Sequence, residues 1–177
     1  MNIINIENIT KGYSEKILLY DISLGIEDKD KIGIVGVNGA GKSTLLKIIA
    51  GIEKPEAGRI IRGNSVSIEY LFQNPYYDPD ATVLEQVFKG DSPVMKLVRE
   101  YETALQDTDV NNERILRLSS EMDRVNGWGL ESDAKVVLTK LGITDFKEKM
   151  SAMSGGQKKR IAVAAALINP SELLILD

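Results

Sequence analysis

The residues with the most specific chemistry are Gly36-Val37-Asn38-Gly39-Ala40-Gly41-Lys42-Ser43, which fit the pattern G-x-x-x-x-G-K-[ST] at every fixed position. Glycines let the backbone wrap close to phosphate oxygens, so that consecutive N–H groups point at one anion. A lysine at position 42 brings positive charge to the β- and γ-phosphates of a nucleotide, and the Ser43 hydroxyl is suited to a magnesium ion. The candidate phosphate-binding residues are therefore Gly36, Asn38, Gly39, Ala40, Gly41, Lys42, Ser43 and Thr44. The plain alternative is a glycine-rich turn that binds nothing. An apolar run before the loop and a helical pattern after it favour the nucleotide site, because the helix adds its positive N-terminal end.

A second glycine-bearing segment lies downstream. Ser154-Gly155-Gly156-Gln157 precedes Lys158-Lys159-Arg160 and an alanine-rich stretch. Two glycines after a serine at a helix start offer a hydroxyl, bare N–H groups and a helix dipole to an anion. The same four residues also fit a capping box, with Ser at the N-cap and Gln three residues later. At the end of the chain, Leu173-Leu174-Ile175-Leu176 is an apolar strand run that closes on Asp177.

The elements that must position these residues can be read from periodicity. Short strands are expected at Ile3–Ile9, at Ile17–Leu19 and around Ile22, Leu24 and Ile26, then at Lys31–Val35 as a buried strand entering the loop. Lys42–Ala50 has helical spacing and Gly51 stands at its stop. Strand signals return at Arg59–Ile61 and Ser65–Phe72. From Thr82 to Leu141 the composition is helical, with a polar break at Asp107–Asn112, and Gly155–Ile168 reads as a helix stopped by Asn169-Pro170. The predicted class is α/β: a mixed sheet with an antiparallel N-terminal β-part and a helical insert. The expected divisions are 1–74 for the strands and the loop, 75–150 for the insert, and 151–177 for the second glycine segment and the last strand.

Composition bounds the rest. A chain of 177 residues, 43% hydrophobic and 27% charged, suits one globular domain. A net charge of −4 gives no bulk argument for a nucleic-acid footprint. With no cysteine and no histidine, disulfides and histidine-based catalysis or metal sites are excluded. No apolar run is long enough to span a bilayer and the N-terminus lacks a signal pattern, so a cytoplasmic protein with no direct membrane insertion is expected.

The loop, the Ser-Gly-Gly-Gln segment and the terminal apolar strand, in that order, resemble the ATP-binding cassette family over essentially the whole chain. The resemblance implies ATP and Mg²⁺ as ligands and gives roles to matching positions. Asp177 is similar to the Walker B aspartate that holds the magnesium shell, and Gln73 to the glutamine that senses magnesium and the attacking water. Lys42, Gln73 and Asp177 would then be catalytic, with Ser43, Gln73 and Asp177 around the metal. Tyr13 resembles the aromatic that stacks on adenine, although a Tyr after Lys-Gly in a turn could simply cover a sheet edge. In this family two cassettes pair head to tail, so Ser154, Gly155, Gly156 and Gln157 would face nucleotide held by a second cassette. Met153 stands where the family usually has leucine, a swap of little packing cost. The chain stops at Asp177, before the family's catalytic glutamate and switch histidine; this implies a longer product whose 177-residue part turns over slowly at most.

Asn126-Gly127-Trp128-Gly129-Leu130-Glu131-Ser132 and Gly155–Ala164 resemble the ABC-F branch, whose members carry two cassettes in one chain and act on the ribosome. Residues Asp91–Val125 sit where that branch inserts a helical arm. Between Lys89 and Arg124 there are six basic and eight acidic residues, whereas an arm on RNA should be basic. Those charges also fit the solvated faces of a helical insert, which a transporter's cytosolic ATPase subunit would place against its membrane subunit. A non-hydrolysing nucleotide-binding fragment is the third reading. Trp128 between two glycines is read as a packing anchor ahead of a partner contact.

Overall fold

The computed structural model describes residues 2–14, 16–63, 66–90, 93–106 and 112–177, and these fall into two compact units. Residues 1–73 with 171–177 make the first unit, and residues 74–170 make the second. The helix carrying Gly155 and Gly156 falls with the helical insert in this division, where the sequence boundaries group it with the last strand.

In the first unit, β1 (Asn2–Tyr13) and β2 (Lys16–Glu27) form an antiparallel hairpin, and β3 (Ala57–Arg62) pairs with the other edge of β1. The hairpin turn follows Tyr13, one residue past the expected break at Gly12, whereas the runs expected separately at Ile17–Leu19 and around Ile22, Leu24 and Ile26 are one continuous strand, β2, carried through by register shifts. At one bulge Asn8 takes a left-handed φ of 52° and its side chain donates to Asp21 Oδ1 at 2.6 Å. Gly58 crosses β1 here with φ +85°, and a Cβ on it would stand 2.4 Å from the Glu7 and Asn8 carbonyl oxygens, so only glycine fits. α1 (Lys42–Ala50) matches its expected bounds, with Gly51 as left-handed C-cap. β4 (Ile68–Leu71) and β5 (Leu173–Leu176) form a separate parallel pair. Ile4, Ile6 and Ile9 of β1, Ile48 and Ile49 of α1 and Ile175 of β5 share one core. Each such side chain contributes about 1.5–3 kcal/mol relative to exposure.

Lys31–Val35 departs from expectation: residues 31–37 form no strand. Both edges of β1 are taken by β2 and β3, and β5 pairs with β4, so among the described residues no ladder includes this segment. Ile32 is 49% and Val35 96% exposed. The segment instead borders a groove of about 590 Å³ whose other walls include Leu24, Ile26, Leu46 and β5.

The second unit contains α2 (Val83–Val87), α3 (Pro93–Gln106), α4 (Asn112–Arg124), α5 (Leu130–Lys140) and α6 (Gly155–Ile168). Most of the expected polar break, 107–111, lies outside the described residues, while Asn112 already opens α4. Phe88, Met95, Leu118, Leu138, Met150 and Ile161 are the largest fully buried side chains of a second core. Met153 is buried in it as well, in keeping with a tolerated apolar swap. Trp128 meets the Tyr101 ring edge-on at 4.9 Å and its indole N–H donates to Asp123 at 2.6 Å. One ring edge is thus held by Tyr101 and Asp123, while 45% of the residue is exposed, so the two readings of Trp128 both stay open. No helix among the described residues is long and apolar enough to cross a membrane.

Candidate functional site

The glycine loop leads directly into α1. Gly39 and Gly41 have φ of +78° and +92°, and Gly41 is the N-cap of the helix without any side chain to cap it. A Cβ on Gly41 would sit 3.1 Å from Leu19 Cδ2 and 3.3 Å from Leu18 Cβ, so both backbone conformation and packing against β2 demand glycine. The first turn of α1 holds no acidic residue, which leaves its N–H groups free of a local carboxylate. Lys42 Nζ turns back over the loop and donates to the carbonyls of Gly36 at 2.8 Å and Val37 at 2.9 Å. Asn38, Gly39 and Ala40 form an exposed turn closed by Ala40 N–H to the Val37 carbonyl at 3.2 Å. Exposed amides, a helix start and an ammonium on a flexible stem are the groups that a polyphosphate site requires.

Ser43 and Asp177 are 134 positions apart, yet the Ser43 hydroxyl donates to Asp177 Oδ1 at 2.6 Å. β5 delivers Asp177: its pairing with β4 runs through Leu71 and Leu176, and Asp177 N–H then donates to the Leu71 carbonyl at 3.1 Å. A hydroxyl and a carboxylate are hard oxygen donors, of the kind magnesium takes one or two of while keeping its waters and substrate phosphates. No cluster of three or more acidic, His or Cys side chains that could hold an ion exists among the described residues. The pair therefore fits a cation that arrives with a phosphate chain and does not fit an all-protein metal cage.

Gln73 stands two residues beyond the end of β4, exposed, at the strand end that β5 shares through Leu71. Tyr13 lies at the β1–β2 hairpin tip, 49% exposed. Its hydroxyl donates to Glu53, the Thr44 hydroxyl is a further partner, and Lys11 Nζ sits 5.3 Å from the ring centroid. Glu53 also pairs with Lys11 at 3.2 Å. The bond from Tyr13 holds the Glu53 carboxyl below the usual carboxylate range, and the same bond raises the Tyr13 hydroxyl above its ordinary value.

Two of these neighbours are not apparent from sequence motifs. Glu53 contacts Tyr13 through a fold-dependent approach of the residues after α1 to the hairpin tip. Tyr70 in β4 donates its hydroxyl to Asp177 Oδ2 at 2.8 Å. Burial first, then the Asp177 carboxylate, keeps that hydroxyl protonated well above its ordinary range. Alternation places Tyr70 on a strand face, but only the β4–β5 register puts it opposite Ile175 and within reach of residue 177.

In the helical unit, Ser154 is the N-cap of α6: its hydroxyl accepts from Gln157 N–H at 3.3 Å, and Gln157 Oε1 accepts from Ser154 N–H at 2.9 Å. The capping box is formed. It accounts for Ser154 and Gln157 but not for the glycines between them, since no heavy atom lies within 4 Å of where a Cβ on Gly155 or Gly156 would stand.

The family model described as ABC transporter matches residues 19–177. The uncharacterized ABC transporter ATP-binding protein YfmR of Bacillus subtilis (strain 168) is 46% identical over all of this chain and 29% of its own length. The energy-dependent translational throttle protein EttA of Mycobacterium tuberculosis is 33% identical over 99% of this chain and 32% of its own. The chain thus spans about a third of the length of these curated relatives. Among solved structures, a nucleotide-free ATP-binding cassette from an ABC transporter superposes with a TM-score of 0.64 at 26% identity, covering all of this chain and 69% of that one. A glycine loop with its lysine, a serine held to a strand-end aspartate, and these matches lead to one statement: the chain belongs to the ABC transporter family of ATP-binding cassettes.

Proposed function

We propose that the chain binds ATP with Mg²⁺ as a cassette of an ATPase, and that this ATPase is a cytoplasmic ABC-F protein acting on the ribosome. The observation that carries the first part is the Ser43–Asp177 bond beside Lys42, which unites residues 134 positions apart at one loop. Lys42 exchanges the Gly36 and Val37 carbonyls for phosphate oxygens, and the loop amides with the α1 N-terminus spread the charge of the phosphate chain. Ser43 and Asp177 would hold the magnesium shell, and Gln73 is assigned to the attacking water on its place just beyond the end of β4. Magnesium, when bound, neutralises charge developing on the β- and γ-phosphates. Tyr13 offers one ring face to adenine while Lys11 covers the other.

Gly155 and Gly156 lie open at a helix start, which supports a close approach by something outside their own helix. A second cassette bringing its own loop-bound phosphates is that partner, and closure of the pair drives the work cycle. The similarity to the translational throttle protein supports the ribosomal reading. One observation favours a second reading: the matched cassette structure comes from a transporter, in which case the helical unit meets a membrane subunit.

Co-sedimentation separates the two. The protein, loaded with Mg²⁺ and a non-hydrolysable ATP analogue, is expected to pellet with purified ribosomes and to stay in the supernatant without nucleotide. Nucleotide binding without pelleting would move the assignment to a transporter subunit, and tight binding without any ATP turnover to a protein that acts by binding alone.

A further inference from the structure

We infer that Tyr70 is a positioning residue for Asp177 and, through it, sets the affinity for the divalent cation; this rests on the reading of Ser43 and Asp177 as the cation site. Each Asp177 oxygen has one hydroxyl donor: Ser43 holds Oδ1 at 2.6 Å and Tyr70 holds Oδ2 at 2.8 Å. The terminal torsion of an aspartate is broad and roughly two-fold, so the carboxylate plane is set by hydrogen bonds and not by rotamer preference. The donor is itself fixed. Tyr70 is locked in register opposite Ile175, and its ring meets Phe72 edge-on at 4.7 Å with an interplanar angle of 66°.

The geometry divides the work of the two hydroxyls. Ser43 can give its oxygen to a cation and still donate its proton to Asp177, so it belongs to the moving chemistry. Tyr70 comes from the strand beside Asp177 and holds the oxygen that Ser43 does not, so it could stay bonded if Asp177 and Ser43 took a cation. Magnesium demands near-ideal octahedral geometry and keeps several waters, which makes the direction of the carboxylate lone pairs decisive. A carboxylate free to turn loses that direction, and hydrogen-bond partners behind a ligand typically set metal affinity by about 10–100-fold.

Tyr70→Phe keeps the ring and removes only the donor. The probe is Mn²⁺, counted by the electron paramagnetic resonance of the free ion in the presence of a non-hydrolysable ATP analogue. Tyr70→Phe is expected to weaken Mn²⁺ about tenfold, while affinity for the analogue in EDTA and the thermal midpoint stay close to those of the parent. Phe72→Leu, which loosens the ring but leaves the hydroxyl, is expected to cause a smaller weakening in the same direction, and it stands in if Tyr70→Phe fails to fold. Unchanged or tighter Mn²⁺ binding in Tyr70→Phe, alongside weakened binding in Asp177→Asn, overturns the role of Tyr70 alone. Parent-like Mn²⁺ binding in Asp177→Asn overturns the cation site and the inference together.

Discussion

The two glycine segments of this chain look alike in sequence and are built differently. In the loop before α1, glycine is favoured from within: Gly41 has a left-handed φ, and a Cβ would press on Leu18 and Leu19 at 3.1–3.4 Å. Lys42 and Ser43 already have partners in Gly36, Val37 and Asp177. At the start of α6 the reverse holds. Ser154 and Gln157 satisfy one another, and Gly155 and Gly156 touch nothing that a side chain would disturb. One segment is preassembled by its own fold, and the other is left open by it. Glycine therefore has a folding reason in the first segment, while in the second the fold itself supplies none.

The largest expected effect is on binding. Lys42→Ala removes the ammonium but no core contact, so nucleotide affinity should fall by about 10- to 100-fold per charged hydrogen bond lost, with little change in melting temperature. Isothermal titration with an ATP analogue measures it, and retained affinity would refute the loop as the phosphate site. Next is Gly41→Ala, which forces a left-handed alanine against Leu19 and should cost about 1–3 kcal/mol of stability, read by chemical denaturation. The smallest change in stability, and the most informative contrast, is Gly156→Ala. A glycine replaced in a helix with open space gains up to about 1 kcal/mol, yet ATP turnover of the paired cassettes should drop by at least an order of magnitude. Full turnover in Gly156→Ala would erase the distinction between the two segments.

Much of this was legible in the chain because it is local. Both helix limits that matter, Lys42–Ala50 and Gly155–Ile168, follow from a glycine or proline stop and from caps within three residues. The capping box was readable for the same reason. What was not legible depends on partners far along the chain. Lys31–Val35 has the apolar composition of a strand, but a strand exists only with a ladder neighbour, and hydrophobicity does not say who that is. The runs at Ile17–Leu19 and around Ile22, Leu24 and Ile26 looked like separate strands, yet β2 continues through both, because a register shift absorbs what a turn would otherwise have to. Tyr70 and Glu53 had no spacing signal, since each acts on a residue 107 or 40 positions away. The grouping of α6 with the helices is likewise a matter of which core its apolar face completes.

The fold of Lys42 onto its own loop has a consequence for selectivity. The ammonium already has two carbonyl oxygens, so a ligand gains from Lys42 only by offering oxygens that are better than those. Anionic phosphate oxygens carry more charge than two neutral carbonyls and would win that exchange, whereas a neutral oxygen would gain little. The resting bonds thus set a threshold of charge that any oxygen ligand of Lys42 has to exceed.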